Sequence, residues 1–520
     1  MEESRGYRKR WIGLIFLSLS LFIIAIDNTV LNLALPRISE DLGASASELQ
    51  WIVDAYVLAF ASLLLTMGAI SDRMGRKKVL MVGLVFFGLC SVGAALSVST
   101  EMLIAMRALM GIGGAIIMPS TLSILTATFH KPKERAKAIA LWAGTFPLGA
   151  GLGPLVGGWL LEHFHWSSVF YINIPVVIVA AFGGYYFLMD SKDEHARRID
   201  VPGALLSIAG LFTLVYGIIQ AGVDGWGAAN VLYSFGAAAV LLGVFAWWQL
   251  RSSHAMLPLS FFKNMSFTGA NLALTLVMFA MFGTLFFMSQ YFQSVLGYTP
   301  FEAGVRVLPI ALIAPPAAVM SAPLAQRIGT KMTVGLGILL ASAGLFYVSQ
   351  VSEIDTPYST LLIGLCIQPL GLGLTMAPAT NSIMGSIPVN KAGIGSAMND
   401  TTRQIGGALG VAVLGAIMNS TYLSQIETSA VVATLPENLT EAVKSSVQSA
   451  HIAAQSIADP GLSQAVVDLS SSAFTSGMVD AMFIAGIIMV AASITTIIIL
   501  PSRIRGPKEQ TSPAGIRGET

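Results

Sequence analysis

Long apolar runs dominate this chain and are separated by short polar segments. Fourteen of the runs reach the length of roughly 20 residues that a helix needs to cross a lipid bilayer. A lipid-facing barrel would show alternating segments of about ten residues instead, so the pattern predicts an all-α protein with fourteen membrane-spanning helices. These predicted helices, called spans 1 to 14, cover 11–35, 49–70, 79–99, 102–124, 137–161, 167–188, 201–221, 230–250, 267–289, 303–325, 333–351, 359–384, 394–419 and 479–500.

Positive charge is distributed unevenly among the polar segments. If the N-terminus lies inside, 24 of the 29 Lys and Arg residues fall in inner segments. The outer segments then hold only Arg37, Arg306 and Lys444, and Arg107 and Arg403 lie within spans. Because Lys and Arg concentrate on the cytoplasmic side of membrane proteins, the chain is predicted to have both termini inside.

The chain also repeats itself. The segment that begins at Asp72 after span 2 returns at Gln326 after span 10, and Pro119 in span 4 returns as Pro378 in span 12, at offsets of about 254 and 259 residues. Two parallel six-helix halves are typical of transporters, with the substrate site between them. The predicted domains are an inner tail 1–10, a first bundle 11–188, a linker with two extra spans 189–266, a second bundle 267–500 and an inner tail 501–520.

Composition excludes several classes of protein. Of the 520 residues 54% are hydrophobic and 11% are charged, whereas soluble domains carry about 25% charged residues. The pattern argues against a soluble enzyme, and a net charge of +1 gives no sign of a nucleic-acid partner. The two cysteines, Cys90 and Cys366, form no metal-binding spacing, and no phosphate-binding G-x-x-x-x-G-K-[ST] loop is present. We expect no enzymatic activity and no metal or cofactor. We also expect the chain to be surrounded by the lipid bilayer.

Two carboxylates in the first two spans are candidate proton or cation sites. Asp27 lies well inside span 1, where a charge costs several kcal/mol unless it is paired, protonated or hydrated. It is either a proton carrier or a structural hydrogen-bonding group. Asp54 lies near the outer end of span 2 and is either a hydrated surface carboxylate or part of a cation path.

Three further charges lie in spans 4 and 13. Arg107 either extends to the membrane interface or tunes the charge of a nearby carboxylate. Asp400 and Arg403 share one helix face because they are three residues apart. They form an internal ion pair, or Asp400 is a second protonatable site. In the second case Arg403 competes for the Asp400 carboxylate.

Two glycine-containing motifs have a conformational interpretation. Glycine permits close backbone approach, and a proline within a helix invites a kink. The first motif, after span 2, consists of Gly68, Asp72, Arg73, Gly75 and Arg76. Its charges either hold a tight contact or merely follow the concentration of positive charge on the inner side. The second, in span 5, consists of Gly149, Gly153, Pro154, Gly157 and Gly158.

Aromatic and methionine side chains in spans 5 and 9 are candidates for the lining of a substrate cavity. Such side chains adapt to varied shapes, and aromatic faces attract cations. The alternative for span 9 is that these residues face lipid. The candidates are Trp142, Phe146, Met281, Phe282 and Gln290.

One outer segment, 421–478, is too polar to span. Within it, 437–457 has the spacing of an amphipathic helix, with Leu439, Val443, Val447 and Ile452 on one face. A surface loop with helical turns is favoured over a small outer cap.

Several of these stretches together resemble the major facilitator superfamily, and within it the fourteen-helix drug:proton antiporters that include the quaternary-ammonium exporters of bacteria. The resemblance covers nearly the whole chain and rests on 26–36, 51–54, 68–77, the glycines 111, 113 and 114 that follow Arg107, and 149–158.

The resemblance implies a proton-coupled exporter of lipophilic cationic compounds that works by alternating access. It also implies that Arg107 neighbours Asp27, that the motif after span 2 acts as an inner gate by latching the two halves on the inner side, and that the protein lies in the inner membrane. A duplicated fold with one central path needs only a monomer. Two alternatives stay open. One is an exporter of a specific neutral or anionic metabolite or antibiotic, and the other is a transporter-like sensor without drug turnover.

Overall fold

The structure is a computed structural model that describes residues 9–42, 44, 46–192, 200–252, 255 and 257–502. Nearly all of these residues are helical, and fourteen helices in the described ranges are long and apolar enough to cross a membrane. The predicted fold class, an all-α membrane protein with fourteen spans, is confirmed.

The membrane helices are numbered α1 to α14 in chain order. A short helix, Ser168–Tyr171, precedes α6, and a π-helical turn, Tyr291–Val295, continues α9. The bounds are α1 Arg10–Leu42, α2 Ala46–Met74, α3 Arg76–Ala95, α4 Thr100–Thr128, α5 Pro132–His163, α6 Asn173–Phe187, α7 Val201–Asp224, α8 Ala229–Arg251, α9 Met265–Gln290, α10 Pro300–Ile328, α11 Thr330–Val351, α12 Tyr358–Gly385, α13 Ala392–Glu427 and α14 Pro460–Ile499.

Two helices extend far beyond their predicted spans. Span 13 was expected to end at residue 419 and span 14 to begin at 479, but α13 continues to Glu427 and α14 begins at Pro460. The predicted limits were wrong because apolar length reports only the part of a helix that lies in lipid. Outside the bilayer a helix continues with polar residues.

The segment between α13 and α14 contains two short helices instead of one. Helices Glu437–Ser445 and Val447–Gln455 are separated by Ser446, which is fully extended with φ −172° and ψ 162°. Val443 and Val447 are buried, but Ile452 is 69% exposed. The predicted single apolar face therefore holds for Val443 and Val447 and is wrong at Ile452.

These two helices, called the outer cap, pack on the second half of the molecule. The hydroxyl of Tyr422 in α13 donates to the carbonyl of Val443 at 2.7 Å, and the side chain of Gln448 donates to that of Gln290 in α9 at 3.0 Å. The second cap helix also packs along α14. The segment thus forms a small cap, which was the less favoured of the two expectations.

The two halves meet along two seams. One seam joins α2 to α13 and the other joins α5 to α10. Of the two extra helices, α7 packs against both α2 and α13, whereas α8 packs mainly on α7 and leaves most of its surface exposed. The extra pair therefore covers the α2–α13 seam from one side.

Matching turns on the inner side show the internal repeat in three dimensions. Gly75, between α2 and α3, has φ 103°, and Gly329, between α10 and α11, has φ 88°. The backbone amide of the residue after each glycine donates to the carbonyl of a serine that follows the last helix of the same half. These bonds run from Arg76 to Ser191 and from Thr330 to Ser502, both at 2.9 Å. Only glycine adopts such positive φ without strain, so both turns depend on it.

Candidate functional site

An ion pair lies inside the first half, between α1 and α4. The carboxylate of Asp27 is 2% exposed and the guanidinium of Arg107 is 1% exposed. Nη1 of Arg107 donates to Oδ2 of Asp27 at 2.6 Å, and the side-chain amide of Asn173 in α6 donates to Oδ1 at 2.9 Å. Both carboxylate oxygens are thus paired, and the charge is neutralised within the bundle.

Arg107 is held in place by more than the carboxylate. Its Nε donates to the carbonyl of Ile52 at 3.2 Å, and its guanidinium carbon lies 4.4 Å from the ring centre of Tyr56. The side chain is buried among α1, α2 and α4 and does not extend to the membrane interface. Gly111 permits this packing, because a Cβ there would lie 2.4 Å from the carbonyl oxygen of Tyr56.

A second carboxylate and arginine lie on α13 but do not make a closed pair. Both side chains are buried, with Asp400 0% and Arg403 4% exposed. Nη1 of Arg403 is 4.0 Å from Oδ1 of Asp400, which is too long for a hydrogen bond. Oδ1 instead accepts from the side-chain amide of Asn399 at 3.0 Å. Among the described residues, Oδ2 of Asp400 and Nη2 of Arg403 have no hydrogen-bond partner.

Arg403 points across the interface between the halves. Its guanidinium carbon lies 4.6 Å from the ring centre of Phe146, which belongs to α5 in the first half. The ring of Phe146 also faces that of Phe282 in α9, at 6.3 Å between centroids. A Cβ on Gly407, one turn beyond Arg403, would lie 2.9 Å from the Phe282 ring, so the absence of a side chain there makes room for it.

The remaining cavity candidates lie at different places. Trp142 is fully buried and donates from Nε1 to Oγ1 of Thr121 at 3.2 Å. Met281 lines a narrow cleft among α9, α10 and α12. Gln290 lies two turns beyond Phe282, at the outer end of α9, where it contacts the outer cap. Of the five candidates, the structure brings only Phe146 and Phe282 into ring contact, next to Arg403. Asp54 is half-buried near the outer end of α2 and belongs to neither ion pair.

The charged motif at the inner end of α2 contacts the second half directly. Asp72 accepts from Nε and Nη2 of Arg76 at 2.8 and 2.7 Å. It also accepts from the backbone amides of Gly393 at 2.8 Å and Ile394 at 3.3 Å, in the first turn of α13. A carboxylate at a helix N-terminus is stabilised by the free amides and the helix dipole. Asp72 therefore caps a helix of the opposite half.

Glycines bring the two backbones together at this contact. A Cβ on Gly68 would lie 2.5 Å from the carbonyl oxygen of Gly393, and a Cβ on Gly393 would lie 2.4 Å from that of Gly68. Arg76 adds a bond from Nη2 to the carbonyl of Val389 at 2.8 Å. Arg73, in contrast, is exposed.

The glycine motif of α5 packs against two helices at once. A Cβ added at Gly149 would lie 2.6 Å from the Cβ of Ala25. One added at Gly153 would lie 1.9 Å from Oγ1 of Thr29, and one added at Gly157 would lie 2.9 Å from Val30. These three positions face α1. Gly158 and Pro154 face α10, where a Cβ on Gly158 would lie 3.1 Å from the Cα of Phe301 and a Cβ on Gly304 would lie 2.9 Å from the carbonyl carbon of Pro154. The motif thus supports both the first bundle and the α5–α10 seam.

The sequence did not single out Asn173, Tyr56 or Asn399. Asn173 is a polar residue at the start of a strongly apolar run, which is a weak signal. Tyr56 follows Asp54 by two residues, and nothing in the pattern distinguishes it. Asn399 precedes Asp400, so its bond to that carboxylate depends on the rotamers that α12 and α13 impose.

Comparison with known proteins places the chain in a family. A family model described as Major Facilitator Superfamily matches residues 17–411. The chain belongs to this superfamily. Membership indicates a transporter rather than an enzyme.

The similar members of the superfamily carry names of drug exporters and resistance proteins. The multidrug efflux pump LfrA of Mycolicibacterium smegmatis is 34% identical over 492 residues, which are 95% of this chain and 96% of the pump. The tetracenomycin C resistance and export protein of Streptomyces glaucescens is 35% identical, with 80% and 77% of the two chains covered. The methyl viologen resistance protein SmvA of Salmonella typhimurium is 33% identical, with 80% and 84% covered.

Solved structures of superfamily members share the fold. The human organic anion transporter MFSD10 superimposes with a TM-score of 0.61 at 14% identity, and 95% of this chain and 100% of that one are covered. The proton:xylose symporter XylE also gives a TM-score of 0.61, at 13% identity, with 94% and 96% covered. At such low identity the likeness concerns the fold alone.

Within the described ranges, no group of three or more His, Cys, Asp or Glu side chains could hold a metal ion. Of the buried carboxylates, Asp27, Asp72 and Asp400 each lie near an arginine. The carboxylate of Asp200 instead accepts hydrogen bonds from Trp248 and Gln249.

Proposed function

We propose that this protein exports lipophilic cationic small molecules across the bacterial cytoplasmic membrane in exchange for protons. The names of its relatives support drug export. The observation that carries the coupling is the burial of Asp27 and Asp400, which lie within helices of opposite halves and each have an arginine nearby. A lone negative charge at such depth is costly. That cost must be offset by a positively charged partner, by a bound proton or by a cationic substrate.

The two halves supply the moving parts of the proposed cycle. Helices α1–α6 and α9–α14 rock about the central path, and α7 and α8 follow the α2–α13 seam that they cover. With the contacts around Asp72 formed, the inner side is closed. Breaking those contacts opens the path to the interior, where a cation enters and a proton leaves. One such path needs only a monomer.

The Asp27–Arg107 pair is proposed as the proton site of the first half. Protonation of the carboxylate would cancel its attraction for Arg107, and the guanidinium would keep its bond to the Ile52 carbonyl and its contact with Tyr56. Movement of α4 relative to α1 then follows the proton. Asn173 would hold the carboxylate in place from α6.

The test is substrate-triggered proton release from vesicles. The purified full chain is inserted in known orientation into vesicles that are acidic inside, and ethidium or tetraphenylphosphonium is added outside. We expect rapid alkalinisation of the interior, and we expect Asp27→Asn to abolish it. A matched control is Asp224→Asn, because Asp224 is an exposed carboxylate at the end of α7 that lies outside the proposed path.

The proposal fails if folded, correctly inserted protein releases no protons with any cation. Release that persists unchanged in Asp27→Asn would remove Asp27 from the coupling. A sensor without turnover would tolerate neutralisation of both Asp27 and Asp400.

One observation favours a second candidate, an exporter of a neutral or anionic metabolite or antibiotic. The guanidinium of Arg403 lies at the interface between the halves, where it would repel a cation. The same vesicles with an organic anion as substrate test this candidate.

A further inference from the structure

The placement of Arg403 combines two features that an ordinary buried ion pair lacks. The guanidinium is not bonded to Asp400, its near neighbour on α13, although the carboxylate is only 4.0 Å away. It lies instead against the face of Phe146, in the opposite half. A positive charge over an aromatic face is the arrangement by which proteins bind organic cations.

Both charges also retain unused bonding capacity. Among the described residues, Oδ2 of Asp400 accepts no hydrogen bond and Nη2 of Arg403 donates none. In the first half, by contrast, the carboxylate of Asp27 is bonded on both oxygens. A short movement of the Arg403 side chain would satisfy both free atoms at once by closing the pair.

The surroundings of the guanidinium suit an aromatic or alkylated cation. The rings of Phe146 and Phe282, from opposite halves, lie 6.3 Å apart between centroids at a tilt of 49°, and Gly407 lets the Phe282 ring approach α13 closely. An exported cation could bind against these rings only if the guanidinium of Arg403 moved away.

We infer that Arg403 is a built-in substitute for the substrate. In the empty transporter its guanidinium occupies the face of Phe146, where the charged head of a lipophilic cation binds. The arriving cation displaces the guanidinium, which turns to Asp400 and closes that ion pair. This inference rests on the proposed function and names the substrate site within it. It makes Arg403 a specificity-determining residue, because only a ligand that competes for an aromatic face displaces it.

The mechanism resolves the repulsion that Arg403 would otherwise cause. With the guanidinium bonded to Asp400, the bound cation faces a neutralised pair. Asp400 is then required to receive the arginine and does not contact the substrate in this step.

The test is equilibrium binding of tetraphenylphosphonium to the purified full chain in detergent. Tetraphenylborate, with similar shape and opposite charge, is measured beside it. Removing the competing group by Arg403→Gln should tighten tetraphenylphosphonium binding by about 2- to 30-fold, the range that a cation–π contact supplies. Tetraphenylborate should gain nothing. In the Arg403→Gln background, where no guanidinium competes for the ring, Phe146→Leu should weaken tetraphenylphosphonium binding by a similar factor.

A double variant separates this role from a structural one. Asp400→Asn alone should weaken tetraphenylphosphonium binding, because the arginine loses the group that receives it. Adding Arg403→Gln should restore the affinity to that of Arg403→Gln alone. A merely structural pair would not show such a rescue.

Matched controls use the same chemistry elsewhere. Arg306→Gln removes an arginine that lies 3.5 Å from the ring centre of Tyr298 at the outer end of α10. Phe286→Leu changes an exposed ring on α9. Neither should alter the affinity. Arg403→Met serves as a second neutral variant if Arg403→Gln does not fold.

The outcomes distinguish the inference from the proposed function. Binding of tetraphenylphosphonium that is unchanged or lost in folded Arg403→Gln and Arg403→Met overturns the inference and leaves cation export standing. Wild-type protein that prefers tetraphenylborate overturns the inference and supports the second candidate. Wild-type protein that binds neither ion overturns the proposed function and the inference with it.

Discussion

Neutralising Asp72 should open the inner side of the transporter. In Asp72→Asn the side chain keeps one acceptor oxygen, but its amide group now faces the donors of Arg76 or of the α13 amides. Arg76, only 2% exposed, loses its counter-ion. Removing one partner of a buried ion pair costs about 3–5 kcal/mol.

The size of the conformational effect follows from where these bonds exist. The contacts from Gly393 and Ile394 join the two halves, so they can be made only when the inner side is closed. Hydrogen bonds to a charged group contribute about 1.5–3 kcal/mol each. If weakening the two amide bonds costs the closed state about 3 kcal/mol, and tenfold in a population ratio corresponds to about 1.4 kcal/mol, the ratio shifts about 100-fold toward the inner-open state.

Pulsed electron paramagnetic resonance distances report this shift. Spin labels at Lys133 and Arg327 lie on exposed inner ends of α5 and α10, in opposite halves, in a chain whose Cys90 and Cys366 are replaced by serine. Asp72→Asn should move the distance distribution to longer values. Arg73→Gln is the matched control, because it removes a neighbouring charge that is exposed and should change nothing.

Two results would refute the reasoning. An unchanged distribution in Asp72→Asn would show that the bonds to α13 do not hold the inner side closed. An equal change in Arg73→Gln would show that the net charge of the inner segment matters more than the buried contacts.

Three further predictions follow from packing and charge. Gly393→Ala should lengthen the same inner distance, because its Cβ would meet the Gly68 carbonyl at 2.4 Å; an unchanged distance would contradict this. Gly153→Ala should lower the melting temperature by overpacking against Thr29, at about 1–3 kcal/mol, and Thr29→Ala should recover part of the loss in the double variant. Burial lowers the pKa of His451 below its ordinary value of 6.5. Protonation therefore favours the undocked cap, and the stability of the outer cap is full above pH 6.5 and falls below it. Hydrogen exchange of 437–455, corrected for intrinsic rates, should be faster at pH 5.5 than at pH 7.5, and His451→Gln should remove the difference.

Local pattern predicted the membrane helices well and their outer ends poorly. A bilayer imposes a minimum apolar length, so fourteen runs in the sequence predict fourteen spans. It does not require a helix to stop at its surface, and the lengths of α13 and α14 were therefore missed. The prediction of one continuous helix over 437–457 was wrong for a related reason. A single extended residue, Ser446, divides a segment whose hydrophobic spacing looked continuous.

Single charges within spans were visible as candidates, but their partners were not. Asp27 and Arg107 are 80 residues apart, and only the resemblance to a family suggested their contact. Asp400 and Arg403 share a helix face by spacing alone, yet the structure leaves them 4.0 Å apart and turns Arg403 toward Phe146. Spacing fixes which residues can meet, and the competing contacts of a neighbouring helix decide whether they do.

The amino-acid sequence by itself determined that this chain is a membrane protein with fourteen helices and an internal repeat, because these properties depend on the solvent and on local chain geometry. It also predicts that both termini lie inside. Only the tertiary structure decided that Asp72 caps α13, that Asn173 completes the bonding of Asp27, and that Arg403 lies on an aromatic ring of the other half. Each of these contacts joins residues from different helices, and their geometry depends on how closely glycines let those helices approach.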